Sequence, residues 1–275
     1  MDLVSLLPVD LQTLMNISAN YSTLEQYSLN PSKCHVMCHN RQNKPTVSKF
    51  SWNISGEPVQ TSDKVTHVGI VCDCASDGAQ STVSNNITKA RKAIYMYMGA
   101  GMHGKSGQSP KVILKLWDSV VIPVLTYGLD ILNLSGKHMD QLESFQYKSI
   151  RQMLSLHDNT PNVATLVLTG LLPITAIVHK HMLSSFMRIC NSPGSVKWNI
   201  MKRQLAIKEN SQPSFVNRIK AVLVKYQLPS IFDIFTSPIS KTQWKDTCDT
   251  HIDDYWKASV IETSALYPSL RYLST

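Results

Sequence analysis

Ile87-Thr88-Lys89-Ala90-Arg91-Lys92-Ala93-Ile94-Tyr95-Met96-Tyr97-Met98 is the stretch whose period decides the fold. Ile87, Ala90, Ile94, Tyr97 and Met98 recur at three- and four-residue intervals on one helical face, and Lys89, Arg91 and Lys92 lie largely off it. The pattern is helical from about residue 79 onward. Ser109-Pro110 supplies an N-cap with proline at the first helical position, ahead of Ile113, Leu114, Leu116, Trp117 and Val120. A further helix runs from near Ser135 through Leu142, Gln146, Ile150 and Met153, and Thr160-Pro161 opens a short one that Gly170 closes. Amphipathic stretches follow at 174–190, 196–208, 214–226 and 241–262.

Upstream the period is different. Pro8, Leu11, Leu14, Met15 and Ser18 mark a helix that ends by the breaker Asn30-Pro31. Alternation around Cys34, Val36 and Cys38, then at Phe50–Ile54 and Val65–Val71, predicts three strands, with Gly56-Glu57-Pro58 separating the last two. The fold class is therefore α+β at the N-terminus, then mainly α. The change of period, through the turn-prone Ser76-Asp77-Gly78 and Ser84-Asn85-Asn86, places a boundary near residues 72–86.

With 275 residues, 43% of them hydrophobic, the chain can bury a sizeable core, which excludes a disordered tail or a disulfide miniprotein. Its apolar runs are far shorter than a membrane span needs, so no membrane partner is expected. The N-terminus has Asp2 where a secretory signal carries positive charge, which makes an intracellular, nuclear or cytoplasmic location with six reduced cysteines the expectation. The net charge of +8 is unevenly spread: residues 76–228 hold 18 basic and 7 acidic side chains, and the flanking regions are slightly acidic. A basic middle of this kind suits a polyanion, since each cation near a phosphate releases a condensed counterion.

An ordered set of motifs resembles the distal part of reverse transcriptases from non-LTR retrotransposons of the LINE and jockey type. It comprises Asp10-Leu11-Gln12, Leu29-Asn30-Pro31-Ser32-Lys33-Cys34, Gly56 with Val59, and Val65-Thr66-His67-Val68-Gly69-Ile70. It continues with Ile87-x-x-Ala90-x-x-Ala93, Leu116, Val121-Ile122-Pro123-Val124-Leu125-Thr126-Tyr127-Gly128 and Leu142-Glu143-x-x-Gln146. Ile150-Arg151, Thr160-Pro161 with Ala164, and Leu168-x-Gly170-x-x-Pro173 complete it, so that the resemblance covers about residues 3–190. It implies a palm remnant with primer-grip-like strands over 1–75, a thumb over 76–190, and an extension of no recognised role beyond. The family activity is RNA-directed DNA polymerase, and the implied partner is the RNA/DNA template–primer duplex. The thumb cations Lys89, Arg91, Lys92, Lys111, Lys115, Lys148 and Arg151 become candidate backbone contacts. Lys33 resembles the family's lysine near the incoming nucleotide's phosphates, a relic here or an ordinary strand lysine.

The family's Tyr-Ala-Asp-Asp turn lies two residues before the segment matched by Leu3-Val4-Ser5, where this chain has only Met1-Asp2. Two-metal phosphoryl transfer needs those carboxylates, so no polymerase activity and no cofactor are expected of these residues, whereas the intact enzyme uses Mg²⁺. Asp253-Asp254 is the only adjacent carboxylate pair, and its helical setting argues for an exposed face. Cys34-His35-x-x-Cys38-His39, with Cys72 and Cys74, has zinc-type ligands, but strand alternation sets the cysteines and histidines on opposite faces. Gly99-x-Gly101-x-x-Gly104-Lys105-Ser106 looks like a phosphate loop, yet a helix and not a strand precedes it. Leu116, Trp117, Val120, Val121 and Tyr127 read as core. A noncatalytic helical protein-interaction module is the competing functional class.

Overall fold

The computed structural model describes residues 3–5, 7–38, 50–74, 78–103, 107–207, 214–268 and 270. Asp2, Ser76, Asp77, His39 and Gly104-Lys105-Ser106, all named above, lie outside them. Contacts divide the chain into two units, Met1–Thr82 and Val83–Thr275. The expected borders were 75/76 and 190/191. The observed division falls a few residues after the first, and a single core continues across the second.

In the N-terminal unit, helix α1 (Pro8–Leu24) buries Met15 and Ala19 against a small sheet that contributes Val36, Trp52, Ile54 and Val59. The sheet has the order β1 (His35–Val36), β3 (Glu57–Thr61), β2 (Trp52–Ile54), with β1 parallel and β2 antiparallel to the central strand. The Gln12 amide fastens helix to sheet: Nε2 donates to Asn53 O (2.8 Å) and Oε1 accepts from Asn53 N (3.2 Å). Asn53 stands opposite Pro58 and turns its backbone groups toward Gln12, so the missing proline N–H leaves no partner unpaired there. For that reason Glu57-Pro58 begins a strand and does not merely separate two. The tight turn is Ser55-Gly56, both at positive φ (53° and 85°). Asn30 Oδ1 accepts from Ser32 N (3.0 Å) and caps the short 3-10 turn Pro31–Lys33.

The expected strand Val65–Val71 is a hairpin of β4 (Lys64–His67) and β5 (Ile70–Asp73). Val68 (φ 48°) and Gly69 (φ 79°) form its two-residue tip, where a right-twisted hairpin needs positive φ at both positions. A β-branched residue is strained there, and Val68 is exposed, so no burial offsets the strain. Val68→Asn should raise stability by about 1 kcal/mol, read as a higher denaturation midpoint with unchanged slope. An unchanged or lower midpoint would place a compensating contact at this tip.

The C-terminal unit is helical among the described residues. Helix α2 (Gly78–Gly99) enters it at Val83 and buries Val83, Ala90 and Ile94. Helix α3 (Pro110–Leu116), a π-helical turn (Trp117–Val121) and α4 (Ile122–Thr126) form one continuous run. Ile113, Trp117, Val121 and Leu125, each at most 1% exposed, recur every fourth residue along it. In a regular helix that spacing would drift about 40° per step, so the wide turn is what keeps all four on the core. Asn86 closes the run: its Nδ2 donates to Leu125 O (3.2 Å) and Tyr127 O (2.8 Å).

Helix α5 (Gly136–Met153) then packs Leu142, Phe145, Ile150 and Met153 into the same core. Helix α6 (Asn162–Thr169) ends at Gly170, whose φ of 66° is the left-handed cap expected of glycine. It precedes α7 (Ile174–Cys190), α8 (Val196–Ile207), α9 (Phe215–Lys225), α10 (Ile231–Thr236) and α11 (Lys241–Ala265). Residues of α7 to α11, from Ala176 to Ile252, share one core around Phe186 and Trp244. Among the described residues no single helix is long and apolar enough to cross a membrane.

Inside that core Tyr226 OH accepts from Trp256 Nε1 (2.9 Å) and lies 2.8 Å from His179 Nδ1. Since indole only donates, the phenol is free to donate its own proton to Nδ1, the role it takes when the neutral imidazole carries its proton on Nε2. Burial, with the cations Lys225 and Arg218, pushes the imidazole pKa down to about 3. Protonation therefore opposes folding. Stability should fall as pH drops from the unfolded value near 6.5 toward 3, by a few kcal/mol in all. In His179→Phe this part of the acid dependence should vanish; urea midpoints between pH 7 and 4 with equal slopes in both proteins would refute the assignment.

Candidate nucleic-acid interface

A groove of the C-terminal unit, about 610 Å³, runs between α2 and α5. Ile87 and Ile94 of α2 and Phe145 of α5 form its apolar floor. Arg91 and Tyr95 rise from one side and Lys137 and Lys148 from the other. The Arg91 guanidinium carbon sits 5.9 Å from the Phe145 ring centre, a cation–π contact that holds the charge beside the groove. Lys137 and Lys148 lie three turns apart, about 16 Å along the axis, a length that covers several phosphates of one strand. Asp140 is the carboxylate among the lining residues, and hydroxyl and amide groups of Ser144 and Gln141 complete the polar wall. The arrangement can hold a linear polyanion by phosphate contacts, which position a strand without reading bases.

Of the sequence candidates, the groove brings together Arg91 and Lys148. Lys89 and Lys92 are exposed on α2, but turned about 160° and 100° from Arg91 round the helix axis, outside the groove. Lys111 and Lys115 are exposed on α3, also outside it. Arg151 is half-buried and occupied: its guanidinium donates to Thr160 O (2.8 Å) and Asn162 Oδ1 (2.9 Å), bracing the turn before α6. Lys33 is exposed at the end of the 3-10 turn in the N-terminal unit. Sequence reasoning missed Lys137, Tyr95 and Phe145. The signal was available for Lys137, since it shares with Lys148 a helical face through 141, 144 and 145.

The carboxylate pair does not fit a metal site. Asp253 lies on helix α11, and its Oδ1 is 2.6 Å from Lys180 Nζ, which also meets Asp249 (2.9 Å). Burial of Lys180 opposes its charge, but the hydrogen bonds that its ammonium donates to Asp253 and Asp249 outweigh that and hold it above its ordinary pKa. His35 Nδ1 is within 3.0 Å of Ser62 Oγ. Among the described residues no cluster of three or more histidine, cysteine or carboxylate side chains could hold a metal. Comparison of the chain with protein-family models, curated proteins and solved structures finds no match.

Proposed function

We propose that this chain is the distal part of a non-LTR retrotransposon reverse transcriptase, a palm remnant followed by a thumb, and that it binds RNA/DNA template–primer duplex along the α2–α5 groove. The observation that carries the reading is the convergence of Arg91, Lys137 and Lys148 on one groove within the basic middle of the chain. The motif set gives support of its own: two of its residues, Arg151 and Thr160, are partners in space, and two more, Gln12 and Gln146, anchor backbone that lies beside or between its other positions. Gln12 holds Asn53, Gln146 holds Leu172 and Ile174, and Arg151 holds Thr160. The β4–β5 hairpin, with its strained tip at Val68, stands where the resemblance puts primer-grip strands. In the family enzyme Mg²⁺ would supply the phosphoryl-transfer chemistry; nothing in the groove is suited to that step, and binding is the role assigned to it.

The experiment is a titration of labelled RNA–DNA hybrid duplex across ionic strengths. Saturable, sequence-independent binding that weakens steeply with salt supports the proposal. The competing reading, a noncatalytic interaction module, is favoured by the outer face of α1, where Val9, Ile17, Tyr21 and Leu24 are all more than half exposed. Absence of duplex binding, or binding indifferent to salt, would decide for it.

A further inference from the structure

A second cavity of the C-terminal unit, about 250 Å³, lies between α7 and α11 and shares no lining residue with the groove. Ile177, Met187, Trp244 and Cys248 make its walls apolar. Trp244 is fixed, with Nε1 donating to Leu183 O (3.2 Å). Burial, then Asp249, pushes the Cys248 thiol up to about 12, so it stays un-ionised and serves as apolar wall.

The rim is different in kind. Lys180 is already compensated by Asp249 and Asp253. His181 is held below its ordinary pKa, first by desolvation of its ring, with Asp130 opposing and Arg188 assisting. Lys241 and Lys245 stand one turn apart on α11, exposed and in no ion pair with a carboxylate among the described residues. Stability does not account for Lys241, since it opens a helix whose first turn has no acidic residue, where the dipole disfavours a cation. Two exposed ammonium groups outside any ion pair among the described residues thus line an otherwise apolar cavity, against the single surplus charge of the Asp249 and Asp253 pair on Lys180.

We infer that this cavity binds a small amphipathic anion, a medium-chain fatty carboxylate, with its chain against Trp244 and Met187 and its headgroup between Lys241 and Lys245. The volume is below the roughly 300–1,000 Å³ of sites for drug-sized ligands, which limits the occupant to one short chain. A free fatty acid and an acyl chain presented by an anionic membrane share this chemistry, and the two sources are separable.

The probe is sodium decanoate, titrated calorimetrically into the full chain. The expected result is one saturable site with Kd of about 10–100 µM, as for a ligand of this size with ordinary efficiency. Decyltrimethylammonium, with the same chain and the opposite charge, should not bind. Ser184→Trp, at the exposed mouth, should abolish binding. Lys241→Glu with Lys245→Glu should weaken it at least about tenfold while the melting temperature holds or rises, because the reversal suits the helix dipole. That pair keeps the test open should the tryptophan variant misfold. The inference fails if decanoate does not saturate by about 1 mM, if the cationic surfactant binds equally, or if both variants bind like the parent. It also fails if phosphatidylglycerol vesicles are bound, decanoate is not, and Ser184→Trp changes nothing; the lysines would then meet a membrane surface.

Discussion

Gln146→Leu should cost the C-terminal unit about 3–5 kcal/mol, because one fully buried amide satisfies two backbone groups that have no other partner at hand. Its Nε2 donates to Leu172 O (2.8 Å) and its Oε1 accepts from Ile174 N (2.7 Å). Ile174 opens α7, and the residue before it is Pro173, which has no side-chain oxygen to cap the helix. The cap therefore comes from α5, across 28 residues of sequence. Glu143, one turn earlier, accepts from the Thr175 hydroxyl and fixes the same helix start. Leucine keeps much of the volume but leaves a buried donor and a buried acceptor unpaired. The fall in melting temperature should be roughly 10 °C for a unit of this size. Gln152→Leu, an exposed change on the same helix, should stay within about 0.5 kcal/mol. A Gln146→Leu protein as stable as the parent would mean that solvent reaches the α6–α7 junction and caps it instead.

Arg91→Glu combined with Lys148→Glu should weaken hybrid-duplex binding about 100-fold or more at low salt, since each reversal removes a phosphate contact and adds a repulsion. Three contacts, from Arg91, Lys137 and Lys148, give a log–log salt slope near −2.7, and the double variant should fall to about −0.9 or lose binding altogether. All duplex sequences should suffer alike. Lys89→Ala with Lys92→Ala should change affinity by less than about threefold, as both lysines face away from the groove, and so should Lys241→Ala. Equal losses from the Lys89/Lys92 pair and the groove pair would show that charge, and not the groove, attracts the duplex. Salt-insensitive binding in the parent would remove the phosphate reading itself.

Helix periods were readable wherever an apolar stripe met a start or stop signal. Ser135 before α5 and Gly170 after α6 are examples, and the structure has both at the termini. Short strands were harder. Glu57-Pro58 opens a strand only because Gln12 occupies the far side of Asn53, a contact 41 residues away in sequence. Val68 at a left-handed position gave no local sign, for β-branched residues normally avoid that conformation. The groove was half legible: Arg91 and Lys148 could be marked as cations off the core face, but their meeting depends on how α2 crosses α5. That Arg151 is consumed by the Thr160 carbonyl follows from the same tertiary placement. The α7–α11 cavity joins residues about 60 positions apart, and no periodicity carries that distance.

The π-helical turn at Trp117–Val121 has a consequence for insertions and deletions. One residue more than a regular helix requires is lodged there, and the faces before and after it stay in phase. Removing Ser119 or Val120 would convert the spacing of the four core residues from 4-4-4 to 4-3-4, the interval pattern of an ordinary α-helical stripe. Ile113, Trp117 and the residues now called Val121 and Leu125 would all keep facing inward. The cost would fall on Pro123, whose ring then meets a tighter turn behind it, and Pro123→Ala would relieve it. A frame-preserving deletion of one codon, ruinous a turn earlier or later, is at this place a repair of the helix.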